Sequence, residues 1–407
     1  MTLNISKIYL IIALTSVPLG GSLTLLVASI LYAAHDFKFS LGKTEKKIIA
    51  LLLMIIVIAA AASTAIFSYS AAKDVFYLSA PIFYVAAGYK LYCAYKLKRN
   101  VFFKHLKIAL MSAAILQITL ILYGYTLSGI SSYDLIRAEY GRGIAFISFF
   151  TGVLFGPKIK LLEKRAAFLS IGTALTALSL SRTSIFAFFL GLILSILFNQ
   201  KISAIKTLKN TAVFLLLSSI TFMLLMQNAW LQDKLLNTTT EMSVIDLNSA
   251  DRQQIVRNWR AYETALTYQK FTSSDISVKF FGLGLGSSLT LSEEFNLSTG
   301  ETLEEAGILH NAFAYIWMKS GLFGLLIYVY ILLMLANLAI KQIAQTPNRY
   351  RALIIGSATF IIASSFIITG LYNHLQIPIF ILSLICTSNM HRDTKLHHAS
   401  QPTNQPN

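Results

Sequence analysis

Long apolar runs separated by short basic connectors make up most of this chain. A helix rises about 1.5 Å per residue, so roughly 17–25 apolar residues can cross a hydrocarbon core of about 30 Å. Of the 407 residues, 55% are hydrophobic and only 13% are charged, which excludes an ordinary soluble protein. We therefore predict an all-α polytopic membrane protein with eleven or twelve transmembrane helices. The predicted spans are residues 8–33, 48–68, 75–95, 108–127, 144–157, 166–181, 183–199, 210–228, 312–340, 352–370 and 374–389.

The first apolar run is long for a single helix and contains Pro18-Leu19-Gly20-Gly21. Proline and glycine both interrupt helices, so residues 8–33 form either one kinked span or two spans joined by a tight hairpin. The run has no basic leader and is followed by further spans, which argues against a removable signal peptide.

Basic residues concentrate in alternate connectors, which together hold twenty-one Lys and Arg against four Asp and Glu. Cytoplasmic loops carry the excess of Lys and Arg, so this set is predicted to be cytoplasmic and residues 229–309 to face outward. The net charge of +16 then reflects topology rather than nucleic-acid binding, because no basic patch is interleaved with aromatic side chains for base stacking. The predicted cytoplasmic connectors are 35–47, 96–107, 158–165, 201–209, 341–351 and the C-terminal tail.

This topology divides the chain into four regions. Residues 1–228 hold the first eight or nine transmembrane helices, and residues 229–309 form a large outward-facing loop with surface helices. Residues 310–390 hold three more transmembrane helices. The polar residues 391–407 are predicted to form a disordered cytoplasmic tail. A loop of about eighty residues is far longer than a connector needs, which points to function.

Residues 252–271 are predicted to form an amphipathic helix in this loop, on the membrane surface. Arg252, Arg260 and Glu263 fall toward its polar side. Such a helix would carry its arginines over a lipid-embedded substrate. The apolar positions recur at steps of three and four, and they are Ile255, Trp259, Tyr262 and Leu266.

Five arginines belong to outward-facing segments although they are far apart in sequence, namely Arg142, Arg182, Arg252, Arg257 and Arg260. A guanidinium group is a planar, permanently charged fork that binds phosphate oxygens in pairs. Several converging at a membrane surface would suit a lipid diphosphate. The alternative is that each arginine anchors a helix end among lipid headgroups.

His310 and Asn311 stand where the loop meets the next span. Of the seven histidines, only His310 and His374 belong to outward-facing segments, and histidine is the usual general base near neutral pH. Glu304 and Glu305 are close enough in sequence to orient the His310 ring. The alternative is a histidine that is hydrogen-bonded at a helix start. We expect His310 to share a cavity with at least two of the outward-facing arginines.

The run from Phe281 through Gly282, Gly284 and Gly286 only superficially resembles a nucleotide-binding loop, since no strand–helix unit flanks it. We interpret it as a tight turn where backbone packs closely or approaches a ligand.

Several chemistries lack their usual residues in this sequence. Cys93 and Cys386 form no ligand spacing, so neither a metal nor another cofactor is expected. None of the predicted spans contains Asp or Glu, which ion-coupled transporters commonly bury. The D-x-D, G-x-S-x-G and P-loop motifs are missing, which disfavours nucleotide-sugar chemistry on the cytoplasmic side.

Four segments of the chain together resemble the O-antigen ligase and polymerase superfamily of bacterial membrane proteins. The likeness covers roughly residues 140–340 and lies in the order, spacing and sidedness of loose motifs. The first three segments are Leu180-Ser181-Arg182-Thr183, Asp251-Arg252 and Phe281-Gly282-Leu283-Gly284-Leu285-Gly286. The fourth runs from Leu309 to Gly324; it begins with Leu309-His310-Asn311 and ends with Gly321-Leu322-Phe323-Gly324.

This resemblance implies a metal-independent, inverting glycosyltransferase in the bacterial inner membrane, active at its periplasmic face. The donor would be an undecaprenyl-diphosphate-linked oligosaccharide. Arg182 and Arg252 match diphosphate-binding positions, although Arg257 and Arg260 compete for the loop position, and His310 matches the base. Apart from the resemblance, the outward-facing positions of Arg142, Arg257, Arg260, Asn311, Glu305 and His374 predict that these residues bind substrate.

The acceptor distinguishes two activities within this resemblance. A polymerase moves the growing glycan to the next repeat unit, whereas a ligase moves it to lipid A-core. The segment 258–263 (Asn-Trp-Arg-Ala-Tyr-Glu) is more similar to polysaccharide polymerases, which favours polymerisation, with a chain-length regulator as a candidate partner. A transporter of lipid-linked oligosaccharide that makes no bonds is the alternative from another class.

Overall fold

A computed structural model of the chain describes residues 2–35, 40–64, 67–126, 141, 143–155, 182–198, 245, 247, 251–296, 302–343 and 349–399. The predicted spans 166–181 and 210–228 lie outside these residues. The described helices are α1 Thr2–Ser16, α2 Ser22–Ala34, α3 Lys43–Ala61, α4 Tyr69–Tyr95, α5 Arg99–Thr126, α6 Ile144–Phe155, α7 Arg182–Phe198, α8 Arg252–Arg257, α9 Trp259–Thr272, α10 Ile276–Phe281, α11 Ala312–Ile343, α12 Arg349–Ile367 and α13 Ile377–Ala399. Strands β1 Leu289–Asn296 and β2 Thr302–Ala306 pair antiparallel, and the 3-10 helix η1 spans Gly370–Tyr372.

Three described helices are long and apolar enough to cross a membrane, namely Arg99–Thr126, Ala312–Ile343 and Tyr350–Ile367. Shorter apolar helices occupy Leu3–Ser16, Ser22–Ala34, Ile144–Leu154 and Thr183–Ser195. Helices dominate the described residues, in agreement with the predicted fold class. The β1–β2 hairpin was not predicted, and its register shifts between Thr290 and Phe295.

The first apolar run forms two antiparallel helices. The Tyr9 ring stacks on the Tyr32 ring with centroids 4.2 Å apart, and the Tyr9 and Ser29 hydroxyls lie 2.9 Å apart. The Ser6 and Tyr32 hydroxyls are bonded at 2.7 Å. The chain reverses at Gly20, whose φ of 68° lies in the left-handed region that glycine adopts without strain. Of the two predicted alternatives, the hairpin is therefore confirmed.

Helix α11 is broken at Gly321, where φ is 63° and ψ is −163°. In a straight helix Phe313 and Tyr328 would be about 22 Å apart along the axis. Their ring centroids are only 5.7 Å apart. The segment before the break therefore folds back beside the segment after it, so the uninterrupted helix runs from Leu322 to Ile343 rather than over the whole predicted span 312–340.

The glycine-rich run inserts its backbone at this break. The Leu283 and Gly284 amides donate to the Met318 and Lys319 carbonyls, at 2.8 and 3.2 Å, which the break leaves without their helical partners. A Cβ on Gly282 would lie 2.6 Å from the Gly321 nitrogen, closer than real side chains approach. The interpretation of this run as a turn with close backbone packing is confirmed.

The predicted amphipathic helix over 252–271 is two helices, α8 and α9, separated at Asn258. Tyr262 and Phe271 are buried, and the Phe271 ring stacks on Trp317 of α11 with centroids 4.7 Å apart. The apolar face therefore packs against the protein itself.

Helix α13 continues through Ala399, so the structure places residues 391–399 in a helix rather than in the predicted disordered tail. Residues 400–407 lie outside the described part. At this end of the bundle the Asn389 amide donates to the buried Glu45 at 2.9 Å, and Tyr92 donates to Asp393 at 2.6 Å. These bonds fix α13 to the starting end of α3 and the final turns of α4.

Candidate functional site

His310 lies between strand β2 and helix α11, at the opposite end of the bundle from Glu45. The side chain of Asn311 caps α11, accepting from the Phe313 amide at 2.9 Å and the Ala314 amide at 3.4 Å. Asn is a favoured capping residue because its oxygen satisfies helix N–H groups that lack a partner. The cap fixes where the helix begins and hence where His310 stands.

Glu263 of α9 is the carboxylate that contacts His310. Its oxygens lie 3.1 and 3.2 Å from the His310 Nδ1. It also accepts the backbone N–H of His310 at 2.8 Å and the indole N–H of Trp259 at 2.7 Å. Because one carboxylate binds both the ring and the main chain, the imidazole is held in one orientation.

A third segment holds the main chain around His310. The Thr369 amide donates to the His310 carbonyl at 2.5 Å, and the Thr369 hydroxyl donates to the Leu309 carbonyl at 3.1 Å. Thr369 has a φ of 66°, and in the described part of the chain it is the one non-glycine residue in the left-handed region. Such strain persists only where surrounding contacts impose it, and it is common near functional sites.

The side chains of His310 and Glu263 differ in exposure. Half of the His310 side chain is exposed, while only 2% of Glu263 is. With Nδ1 donating to the carboxylate, Nε2 is the nitrogen left to accept a proton, and no hydrogen bond from a described residue occupies it. A histidine oriented by a buried carboxylate and open at its other nitrogen has the geometry that a general base requires.

A second acid–base pair lies under the glycine-rich run. Lys319 of α11 and Asp74 of α4 form an ion pair at 2.6 Å, with 1% and 4% of their side chains exposed. Asp74 also accepts the Gly286 amide at 2.7 Å and the Tyr315 hydroxyl at 3.4 Å. Lys319 donates to the Ser287 carbonyl. The pair joins α4, α11 and the loop, and its burial leaves no room for a substrate.

A buried carboxylate lies in α4, one residue before the predicted span 75–95. The predicted span began at residue 75, whereas the helix begins at Tyr69 and includes the buried Asp74. Sequence alone could not pair Asp74 with Lys319, since 245 positions separate them.

Glu305 does not orient His310 in this structure. It is exposed on β2 and accepts from the Ser288 hydroxyl at 2.5 Å, and Glu304 beside it is exposed too. The sequence analysis placed Glu263 on a polar face, but this residue is buried. The available signal was its spacing of four from Trp259, which placed it beside an indole that needs an acceptor.

The structure describes the side chains of some of the five predicted site arginines but not of the others. Arg252 is the first residue of α8 and is exposed, and Arg260 precedes Glu263 by three positions on α9, in the neighbouring turn. Arg182 is the first residue of α7 and Arg257 the last of α8, but their side chains lie outside the described part, as does Arg142 entirely. A cavity shared by His310 and two arginines stays a prediction.

His374 lies in the turn between η1 and α13, five residues after Thr369. Its ring lies against Tyr77, with centroids 3.9 Å apart. Burial, and secondly the positive charge of Lys73, lowers the pKa of His374 to about 4. At neutral pH His374 is therefore an uncharged ring.

Among the described residues, no group of three or more His, Cys, Asp or Glu is placed to hold a metal ion. Compared with sequence models of known families and with curated proteins, the chain matches none.

Proposed function

We propose that this protein is a membrane glycosyltransferase that moves a lipid-diphosphate-linked glycan onto an acceptor sugar hydroxyl. The observation that carries the proposal is the half-exposed His310, held by the buried Glu263 at the end of the bundle that the charge bias places outside. The resemblance of the four quoted segments to O-antigen ligases and polymerases supports the same reaction.

In the proposed reaction His310 acts as the general base. Its Nε2 takes the proton of the acceptor hydroxyl while that oxygen attacks the anomeric carbon of the donor. The carbon–oxygen bond to the diphosphate breaks, and attack from the opposite side inverts the anomeric configuration. Glu263 holds the ring in place and stabilises the imidazolium that forms, as carboxylates do in comparable dyads. Positioned base catalysis contributes about 10²–10⁴ in rate.

The arginines would bind the departing lipid diphosphate. Arg182 and Arg252 are the leading candidates, with Arg142, Arg257 and Arg260 completing a positive surface. Charge accumulates on the diphosphate as its bond to the sugar breaks, so fixed positive charge lowers the barrier without a metal. Asn311 and the neutral His374 are candidates for contacts to the glycan.

The acceptor is proposed to be the next repeat unit, so that the product is a surface polysaccharide such as O-antigen or exopolysaccharide. The similarity of segment 258–263 to polysaccharide polymerases supports this choice. The ligase alternative requires lipid A-core as acceptor. Supplying purified protein with the lipid-linked donor and each acceptor separates them, because polymerisation gives a ladder and ligation a single adduct.

The test of the proposed reaction is His310→Gln, with His105→Gln on α5 as the matched control. His105 is bonded to Tyr95 at the opposite end of the bundle. We expect the H310Q variant to lose transfer by about 10²–10⁴ at unchanged protein level, and H105Q to keep it. A transporter would instead move lipid-linked glycan across vesicles equally well with either variant, and that result would contradict the proposal.

The role of Arg182 is tested by Arg182→Lys, which keeps the charge but removes the fork. If Arg182 grips a diphosphate through paired bonds, transfer should be largely lost. If it only anchors a helix end, lysine serves nearly as well, because either side chain reaches the headgroups. Arg99→Lys, in α5 near His105, is the matched control. Near wild-type transfer by R182K would remove the phosphate role of this residue.

A further inference from the structure

Helix α10 presents large apolar side chains outward. None of its six residues is buried, and Ile276, Phe280 and Phe281 are 74%, 36% and 47% exposed. So short a helix is not stable alone, since too few hydrogen bonds offset its ordering. Its aromatic face needs a covering surface.

The exposed face of α10 is continuous with that of α11. The Phe323 ring lies 5.4 Å from the Phe280 ring and 5.3 Å from the Phe281 ring, between centroids. Past Phe323, the side chains of Leu326 and Leu333 are 56% and 61% exposed along α11. One apolar strip therefore runs from α10 down a helix that is long enough to cross a membrane.

The length of α11 sets the level of α10 relative to a membrane. From Leu322 to Ile343 the helix contains about 22 residues and is therefore about 33 Å long, close to the thickness of a hydrocarbon core of about 30 Å. The break at Gly321 then falls at the membrane boundary. Gly321 lacks a side chain where the Phe280 backbone passes, so α10 is held at this level.

We propose that α10 is an interfacial anchor, which inserts Ile276, Phe280 and Phe281 between the lipids of the leaflet that faces the site. Interfacial helices bury apolar side chains such as Phe at the boundary of headgroups and acyl chains, and the exposed Lys279 can reach the headgroup phosphates from the same helix. The bilayer is the occupant that the continuous strip with α11 favours. The helix α9 that carries Glu263 is then fixed at headgroup height, where a lipid diphosphate would lie.

The neighbouring helix α9 differs from α10 in the side chains that it exposes. Its apolar residues Ala261, Tyr262 and Phe271 are buried, and its exposed positions are mostly polar, such as Thr264 and Gln269, apart from the exposed Tyr268. The surface helix expected over 252–271 is therefore replaced by α10 as the lipid-contacting element. This inference rests on the membrane placement of α11 and not on the proposed reaction.

A tryptophan scan tests the anchor on the full chain, in nanodiscs that hold one copy each. Phe281→Trp and Ile276→Trp each add a fluorophore to the constant background of three native tryptophans, and Thr264→Trp is the matched control on α9. We expect lipids brominated along the acyl chain to quench the added fluorescence of F281W and I276W, and aqueous iodide to quench that of T264W.

The opposite pattern would overturn the anchor. If iodide quenches the added fluorescence of F281W and I276W while brominated lipids do not, α10 faces water. If F281W is shielded from both quenchers only in nanodiscs that hold two copies, a second protein chain covers the helix instead. Neither reading depends on transfer activity, so failure here leaves the proposed reaction untouched.

Discussion

Two acid–base pairs occupy the same end of this molecule, and they differ in exposure. In the open pair, Glu263 is buried but half of His310 is exposed. In the closed pair, Asp74 and Lys319 are both almost completely buried. The open pair is accessible to an incoming molecule, whereas the closed pair contacts only groups of the protein itself.

Both pairs involve α11, but the exposed pair is proposed to carry out chemistry and the buried pair to stabilise the structure. His310 precedes α11 directly, and Lys319 lies on the same helix just before the break at Gly321. The closed pair fixes the glycine-rich run between α4 and α11, and that run connects to the hairpin that leads to His310. The buried pair thus stabilises the framework in which the exposed pair can act.

The largest expected effect comes from breaking the closed pair. Asp74→Ala leaves Lys319 as an unpaired buried charge, and removing one partner of a buried pair costs about 3–5 kcal/mol. We expect the apparent Tm in detergent or nanodiscs to fall sharply and the yield of folded protein to drop. Thr264→Ala, at an exposed position on α9, should leave the Tm nearly unchanged.

A double variant that replaces both Asp74 and Lys319 tests whether the loss of stability comes from the unpaired charge. Asp74→Leu combined with Lys319→Met removes the two charges together and keeps the volume, so much of the lost stability should return. The Gly286 amide would still lack its acceptor, so recovery should be incomplete. If D74A alone leaves the Tm unchanged, the closed pair is not structural and the comparison fails.

A smaller effect is expected from Glu263→Gln in the open pair. Glutamine keeps one oxygen for the His310 main chain but no longer balances a charged imidazolium. Residues that orient a functional group typically contribute about 10–100-fold. We expect a loss of that size in kcat at a similar KM, with Glu304→Gln at an exposed position on β2 as the matched control that retains activity. A wild-type kcat for E263Q would show that Glu263 does not serve His310.

The smallest effect concerns pH and His374. Its pKa of about 4 lies below the ordinary value near 6.5, so the unfolded chain binds this proton more readily than the folded one. The stability from neutral His374 is present above about pH 6.5 and is lost as pH falls toward 4. We expect the apparent Tm of the wild type to drop between pH 7 and pH 5 by more than that of His374→Gln. Equal drops would contradict this assignment.

Sequence reasoning located the helices better than their interruptions. Apolar runs predict where helices lie because burial or lipid contact is a property of composition. The sharp turn at Gly321 was missed because the run around it stays apolar, and only the inserted glycine backbone makes a break favourable there. The hairpin at Gly20 was anticipated because proline and glycines interrupt the run.

For the site, sequence reasoning singled out His310 but chose Glu304 and Glu305 as its carboxylate partners. Proximity in sequence was a poor guide to the partner, because Glu304 and Glu305 lie on β2, whereas Glu263 contacts His310 from α9, 47 positions earlier. Helical periodicity predicted that Glu263 lies on the polar face of its helix. Its burial could not be predicted, because a buried carboxylate is recognisable only once its partner is known. The pair of Asp74 and Lys319 could not be anticipated for the same reason.

Glu263 and His310 are proposed to act as one unit, and a double-mutant cycle on kcat tests this coupling. The transfer rate is measured for E263Q, H310Q and the double variant in the same nanodiscs, with Tm recorded for each. If Glu263 acts only through His310, the double variant will be no slower than H310Q alone. If the two losses instead multiply, Glu263 and His310 act independently, and the account of an oriented base is contradicted.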